Sequence, residues 1–237
     1  MIHKHISHTL EEVAKQFSFF LYELTFGDKD THIALSGGST PKVIFDVLAS
    51  DFADKINWKK VHLYWGDERC VPPTDEDSNY KMTVNHLLSK IDIPEENIHR
   101  IEGENIPQME AYRYGELLQE KLPNANGIPQ FDLIILGIGE DGHTASIFPH
   151  EINIWDSYEY CDVASHPKSG QKRITITGQV INNAKAVAFL ATGFHKANKV
   201  KAILKKEEGS EQYPASLVDP THGEIHWFLD EPAAGGI

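Results

Sequence analysis

The residues best suited to chemistry stand in one stretch, Phe131-Asp-Leu-Ile-Ile-Leu-Gly-Ile-Gly-Glu-Asp-Gly-His143-Thr-Ala-Ser-Ile-Phe-Pro149. Phe131 to Leu136 reads as a buried strand, and Gly137, Gly139 and Gly142 hold the loop after it. That loop delivers one imidazole, His143, at the strand's carboxyl end, where open α/β sheets bind their ligands. A tight loop there demands backbone angles that side chains forbid, which is why glycines recur. An imidazole so placed is suited to take up and return a proton near neutral pH. Asp141, two positions before it, is one carboxylate that could orient the ring; Asp67 is another.

A second candidate is Ser36-Gly37-Gly38-Ser39-Thr40-Pro41-Lys42, between a strand and the start of a helix. Free N–H groups and the helix dipole favour a phosphate or carboxylate at such a terminus. The hydroxyls of Ser36, Ser39 and Thr40 add donors, and the glycines let backbone approach closely. The loop lacks the Gly-Lys-Ser/Thr ending of a Walker loop. Ala34-Leu-Ser36-Gly-Gly38 also lacks the first glycine of a nucleophile elbow, which argues against Ser36 as a nucleophile. Gly66-Asp67-Glu68-Arg69 ends another apolar run, so three charges meet where the sheet opens, and Asp67 or Glu68 could orient a histidine or a sugar hydroxyl. Arg69 could grip a phosphate with two parallel hydrogen bonds, which lysine cannot. Asp77-Ser78-Asn79-Tyr80 reads as a helix cap, and Arg173 and Lys196 are further cations at element ends.

The elements that must position these groups alternate. Thr9-Leu-Glu-Glu12 is a capping box, followed by Leu10, Val13, Ala14, Phe17, Leu21 and Leu24 on one helical face. Strands are expected near 32–35, 61–65, 131–136, 173–177, 185–191 and 225–229. Helices are expected from Pro41 to about Ala49, near 78–88, over 107–122 and over 195–206. Strands alternating with helices imply an α/β fold, a mostly parallel sheet flanked by helices on both faces in the Rossmann-like, doubly wound manner. Gly137-Ile-Gly139-Glu-Asp-Gly142 matches the dinucleotide-binding pattern, and Asp162 stands about twenty residues on. Phe148-Pro149, however, stops the long helix which that pattern must open.

Composition narrows the partners. The 237 residues are 41% hydrophobic and 24% charged, with a formal net charge of −13, as in an ordinary globular protein. Nucleic acid and anionic membrane are therefore not expected partners, whereas a small anion in a local cationic pocket is compatible. Cys70 and Cys161 form no metal or redox spacing, and no apolar run is long enough to span a bilayer. A cytoplasmic setting is the expectation. His3, His5 and His8 are read as an exposed segment that binds metal at most adventitiously.

In chain order, Ser36-Gly-Gly-Ser-Thr-Pro41, Gly66-Asp-Glu-Arg69, Asp77-Ser-Asn-Tyr80, the Gly137–Pro149 block, Arg173-Ile-Thr-Ile-Thr177 and Thr192-Gly-Phe-His-Lys-Ala197 resemble the 6-phosphogluconolactonase family. That family lies within the glucosamine-6-phosphate isomerase/lactonase superfamily. The resemblance covers nearly the whole chain and implies a single domain over residues 1–237. It also implies hydrolysis of 6-phosphoglucono-1,5-lactone in the oxidative pentose phosphate pathway, without metal or organic cofactor, by a monomer or weak homo-oligomer. His143 would be the base, Asp141 or Asp67 would orient it, and the 36–40 loop with Arg69, Arg173 or Lys196 would hold the phosphate. The alternatives are a glucosamine-6-phosphate isomerase/deaminase, a non-catalytic sugar-phosphate-binding protein and a lactonase indifferent to phosphate. Ser146-Ile-Phe-Pro149 and Asp67-Glu68-Arg69 stand where the deaminase pattern has Asn-Glu-Pro and Asp-Glu-Tyr. Phe194-His195 fills a position pair that the resemblance does not predict, so a ligand role for His195 stays open.

Overall fold

Short runs of branched aliphatic residues, each closed by glycine, proline or a polar cap, form the strands, and amphipathic stretches between them form the helices. The computed structural model describes residues 1–237. In chain order the elements are β1 (Ile2–Ser7), α1 (Leu10–Leu24), β2 (Thr31–Leu35), α2 (Ser39–Asp51), β3 (Val61–Trp65), β4 (Asp67–Arg69) and α3 (Asn79–His86). Next come β5 (Ile98–His99), α4 (Pro107–Lys121), β6 (Asn124–Ala125), β7 (Ile128–Pro129), β8 (Leu133–Leu136), β9 (Cys161–Ser165) and β10 (Lys172–Ile176). The chain ends with α5 (Gly178–Ile181), β11 (Ala186–Ala191), α6 (Ala197–Leu204), β12 (Glu224–Asp230) and α7 (Glu231–Ala234).

Seven strands form one parallel sheet in the order β1-β12-β11-β8-β2-β3-β5. Every residue of β8 and β11 is buried, as expected of parallel strands with helices on both faces. The α/β fold class read from the sequence is the one found. At α1 the Thr9 hydroxyl caps the helix by accepting from Glu12 N–H, whereas the Glu12 carboxylate reaches one residue past the N-cap and accepts from His8 N–H. After Phe148 the chain makes only a 3₁₀ stretch, Pro149–Asp156, so the glycine loop opens no long helix.

Two departures from expectation shape the molecule. The N-terminal residues are not a loose exposed segment: they form edge strand β1, parallel to β12. The periodicity of two was there but inverted, because Ile2 and Ile6 point outward (52% and 48% exposed) while His3 and His5 turn inward. Hydrophobic patterning therefore gave no strand signal. Second, Asp67–Arg69 is itself a strand. It pairs antiparallel with β10, and β10 with β9, to make a small separate sheet. Its three polar residues carry no alternation to read, and the pairing that orders them lies about a hundred positions downstream.

Candidate active site

Strand order explains why distant segments meet. From β2 the chain proceeds to β3 and then β5 on one side, while β8 enters on the other side of β2 and leads to β11 and β12. The succession reverses between β2 and β8, and a crevice opens at the carboxyl ends there. The Ser36–Thr40 loop leaves β2 at this point and the Gly137–His143 loop leaves β8. Between them lies a cleft of about 220 Å³. Ser36, Gly37, Gly38, Ser39, Thr40, Asp67, Arg69, His143, Arg173 and Lys196 all line it, whereas Asp141 lies behind His143.

Gly38 is the N-cap of α2, with φ +112, an angle that glycine tolerates and L side chains rarely adopt. No acidic residue occupies the first turn of α2, so the partial positive charge of its terminus is uncompensated and faces the cleft. The Thr40 hydroxyl pairs with that of Thr192 at 2.7 Å, tying the loop to the end of β11. Ser36 Oγ donates to the Gly37 carbonyl, and no base stands beside it.

Cations ring the other wall. Arg69 and Arg173 are register partners on β4 and β10. Arg69 Nη1 donates to the Asp77 carbonyl at 2.6 Å, and Arg173 lies over the Phe148 ring, 5.8 Å from its centroid. The Nε of each arginine is buried without a hydrogen-bond partner. Burial, and then the neighbouring charge of Arg69, lower the pKa of Arg173, while Asp67, Asp77 and Glu68 act in the opposite sense. Burial also lowers that of Lys196, against the raising effect of Glu140 and Asp141. These cations gain from an incoming anion.

His143 Nδ1 meets Asp141 Oδ1 at 2.6 Å, and the His143 backbone N–H donates to the same oxygen. Partial burial alone would raise the Asp141 pKa, but the hydrogen bonds and charge of His143 outweigh it and hold the carboxyl at about 2. The Phe148 ring flanks the imidazole at 4.7 Å. With Nδ1 committed to Asp141, Nε2 is the nitrogen left for the cleft. Gly139 is required for this arrangement, since a Cβ there would fall on His143 Nδ1 and on the Asp141 carboxylate.

Of the carboxylates considered for orienting the imidazole, Asp141 makes the contact. Asp67 is instead buried, accepting from Ser146 Oγ at 2.6 Å. Ser146 is also approached by Arg173 Nη1 at 3.5 Å, so Asp67 acts on the arginine wall. Glu68, the other carboxylate that could orient a histidine or a sugar hydroxyl, instead completes the frame together with Asn79. Glu68 accepts from the backbone N–H of Arg69, Asn79 and Tyr80 (2.8 Å each) and from Ser78 Oγ. Burial raises the Glu68 pKa against those donors. Asn79 donates to the Asp67 carbonyl and packs against Gly37, which links the two walls. The 78–80 cap was legible, since Ser78 Oγ accepts from Lys81 N–H; its bond to Glu68 was not. His195 does not line the cleft.

The family described as glucosamine-6-phosphate isomerases/6-phosphogluconolactonase matches residues 5–227. A 6-phosphogluconolactonase of Haemophilus influenzae is 44% identical over 227 residues, 95% of this chain and 94% of the relative. Among solved structures, a devB protein superposes with a TM-score of 0.95 at 43% identity, covering 100% of both chains. The 6-phosphogluconolactonase of Trypanosoma brucei superposes with a TM-score of 0.86 at 26% identity, covering 100% of this chain and 99% of that one. With a match of this extent, the chain belongs to the glucosamine-6-phosphate isomerase/6-phosphogluconolactonase family.

Proposed function

We propose that residues 1–237 act as one domain that hydrolyses 6-phosphoglucono-1,5-lactone to 6-phosphogluconate, with His143 as general base. One observation carries the reading: an imidazole held by Asp141 at 2.6 Å shares a cleft with Arg69, Arg173, Lys196 and the start of α2. The 6-phosphate rests on the 36–40 loop, where backbone N–H groups and the α2 dipole receive it, and Arg69 and Arg173 close on its oxygens. The lactone carbonyl is thereby fixed near His143.

Neutral His143 takes a proton at Nε2 from a water whose oxygen attacks C1, and a tetrahedral oxyanion forms. As the oxyanion collapses, the bond from C1 to the ring oxygen breaks, and His143 returns its proton to that oxygen. The product acid then ionises, so the net change is lactone plus water to carboxylate and a proton. Asp141 steadies the imidazolium formed midway. A positioned base contributes about 10²–10⁴-fold, and the clamp adds orientation.

The test is turnover of freshly generated 6-phosphogluconolactone, coupled to 6-phosphogluconate dehydrogenase and corrected for spontaneous hydrolysis, beside unphosphorylated gluconolactone. Fast hydrolysis that depends on the phosphate is expected. Equal rates on both substrates would remove the phosphate clamp. Inactivity on both, with release of ammonia from glucosamine 6-phosphate, would replace the reaction.

A further inference from the structure

The amino ends of the strands, at the pole opposite the cleft, carry a second group of chemistry-bearing side chains. His3 and His226 are register partners on β1 and β12, and Glu224 stands two positions before His226 on the same face. His3 Nε2 and His226 Nε2 each lie 3.5 Å from Glu224 Oε2, and the three donor atoms fall within 4.8 Å of one another. His3 Nε2 is buried without a hydrogen-bond partner, an unusual state for a polar atom. We propose that His3, Glu224 and His226 bind a divalent transition-metal ion of the zinc class, fastening edge strand β1 to β12.

The donor set suits such an ion, because imidazole and carboxylate are ordinary zinc ligands and three protein ligands leave a position for water. Tetrahedral ligands about 2.0–2.1 Å from zinc stand about 3.4 Å from one another, close to the two separations from Glu224. The third closes by rotation of the His3 ring, which now stacks on His226 at 4.7 Å. His226 has the outer partner that ligating histidines require: its Nδ1 lies 3.2 Å from His5 Nε2. Donation from Nδ1–H to His5 leaves the Nε2 lone pair for the metal. The nearby ammonium groups of Lys29 and Lys185 are engaged by Asp132, so neither occupies Glu224.

This site is independent of the proposed lactone hydrolysis and is tested apart from it. The full chain, without an affinity tag and freed of metal by chelation, is titrated with Zn²⁺ in a calorimeter. Saturable binding of one ion is expected. Glu224→Gln and His3→Ala, both at partly exposed positions, should each weaken it by about tenfold or more, and His5→Ala by about 10–100-fold. At equal Zn²⁺, the melting temperature of the parent protein should rise more than that of Glu224→Gln. Equal binding by the parent, Glu224→Gln and His3→Ala would overturn the assignment by placing the ion at other histidines. Absence of saturable binding at millimolar Zn²⁺ would overturn it outright.

Discussion

Arg69 and Arg173 are paired across the β4–β10 ladder, which sets two guanidinium groups side by side on one wall of the cleft, each with a buried Nε lacking a hydrogen-bond partner. Two like charges in register repel, and an unmet buried donor costs free energy. A phosphate between the two guanidinium groups would offset their mutual repulsion, which is the basis of the clamp proposed above.

The first expected outcome concerns that pair. Arg69→Ala and Arg173→Ala should each raise KM for the phosphorylated lactone by roughly 10–100-fold, from a charged hydrogen bond contributing about 1.5–3 kcal/mol, while kcat falls less. Arg173→Lys should recover part of the loss, because a point charge replaces a planar fork. Hydrolysis of unphosphorylated lactone should not change. Steady-state kinetics on both substrates decide it, and equal losses on the two would show that the arginines do not recognise phosphate.

The second concerns His143. His143→Ala should fold normally and lose about 10²–10⁴ in kcat. Asp141→Asn should lose about tenfold or more, because the amide can hold the ring but not neutralise an imidazolium. Normal turnover in His143→Ala would remove the base.

Much of the site was legible because its chemistry sits at strand ends marked by glycine. Leu133–Leu136 is a continuous apolar run, so the placement of His143 after it followed from local sequence. The opposition of Arg69 and Arg173 was not legible, since it arises from pairing two strands far apart in the chain. The choice between Asp141 and Asp67 likewise required distances: both follow apolar strands, yet one bonds His143 and the other Ser146. Glu68 reads from its place after an apolar strand as a carboxylate for a histidine or a sugar hydroxyl, whereas the fold surrounds it with three backbone N–H donors. Strand β1 was missed because its inward face is histidine.

A third outcome separates geometry from stability. A Cβ at Gly139 would strike the side chains of His143 and Asp141 rather than backbone. These side chains can swing aside, so Gly139→Ala should keep a near-normal melting temperature while its kcat falls toward that of His143→Ala. A large drop in melting temperature would mean that the loop, not the imidazole, absorbs the clash.

The fourth follows from a row of histidines on the opposite half of the sheet. His32 stacks on His62 and His62 on His99, at 4.8 and 5.6 Å. Burial, and then the charges of His62, Lys121 and His32, push His99 down to about 4, against an ordinary histidine value of about 6.5. A depressed histidine pKa means that the unfolded chain binds more protons between those two values. Stability therefore falls as pH drops from about 6.5 toward 4 and is fully present above 6.5. From pH 6.5 to pH 5 the contribution of His99 is on the order of 1.5 kcal/mol. Urea unfolding at pH 7 and pH 5 should show that loss in the parent protein and a smaller one in His99→Gln, whose side chain does not titrate. An equal loss in both would assign acid sensitivity to other groups. His32 and His62, also lowered chiefly by burial, would be the next to replace, since each repels His99 once protonated.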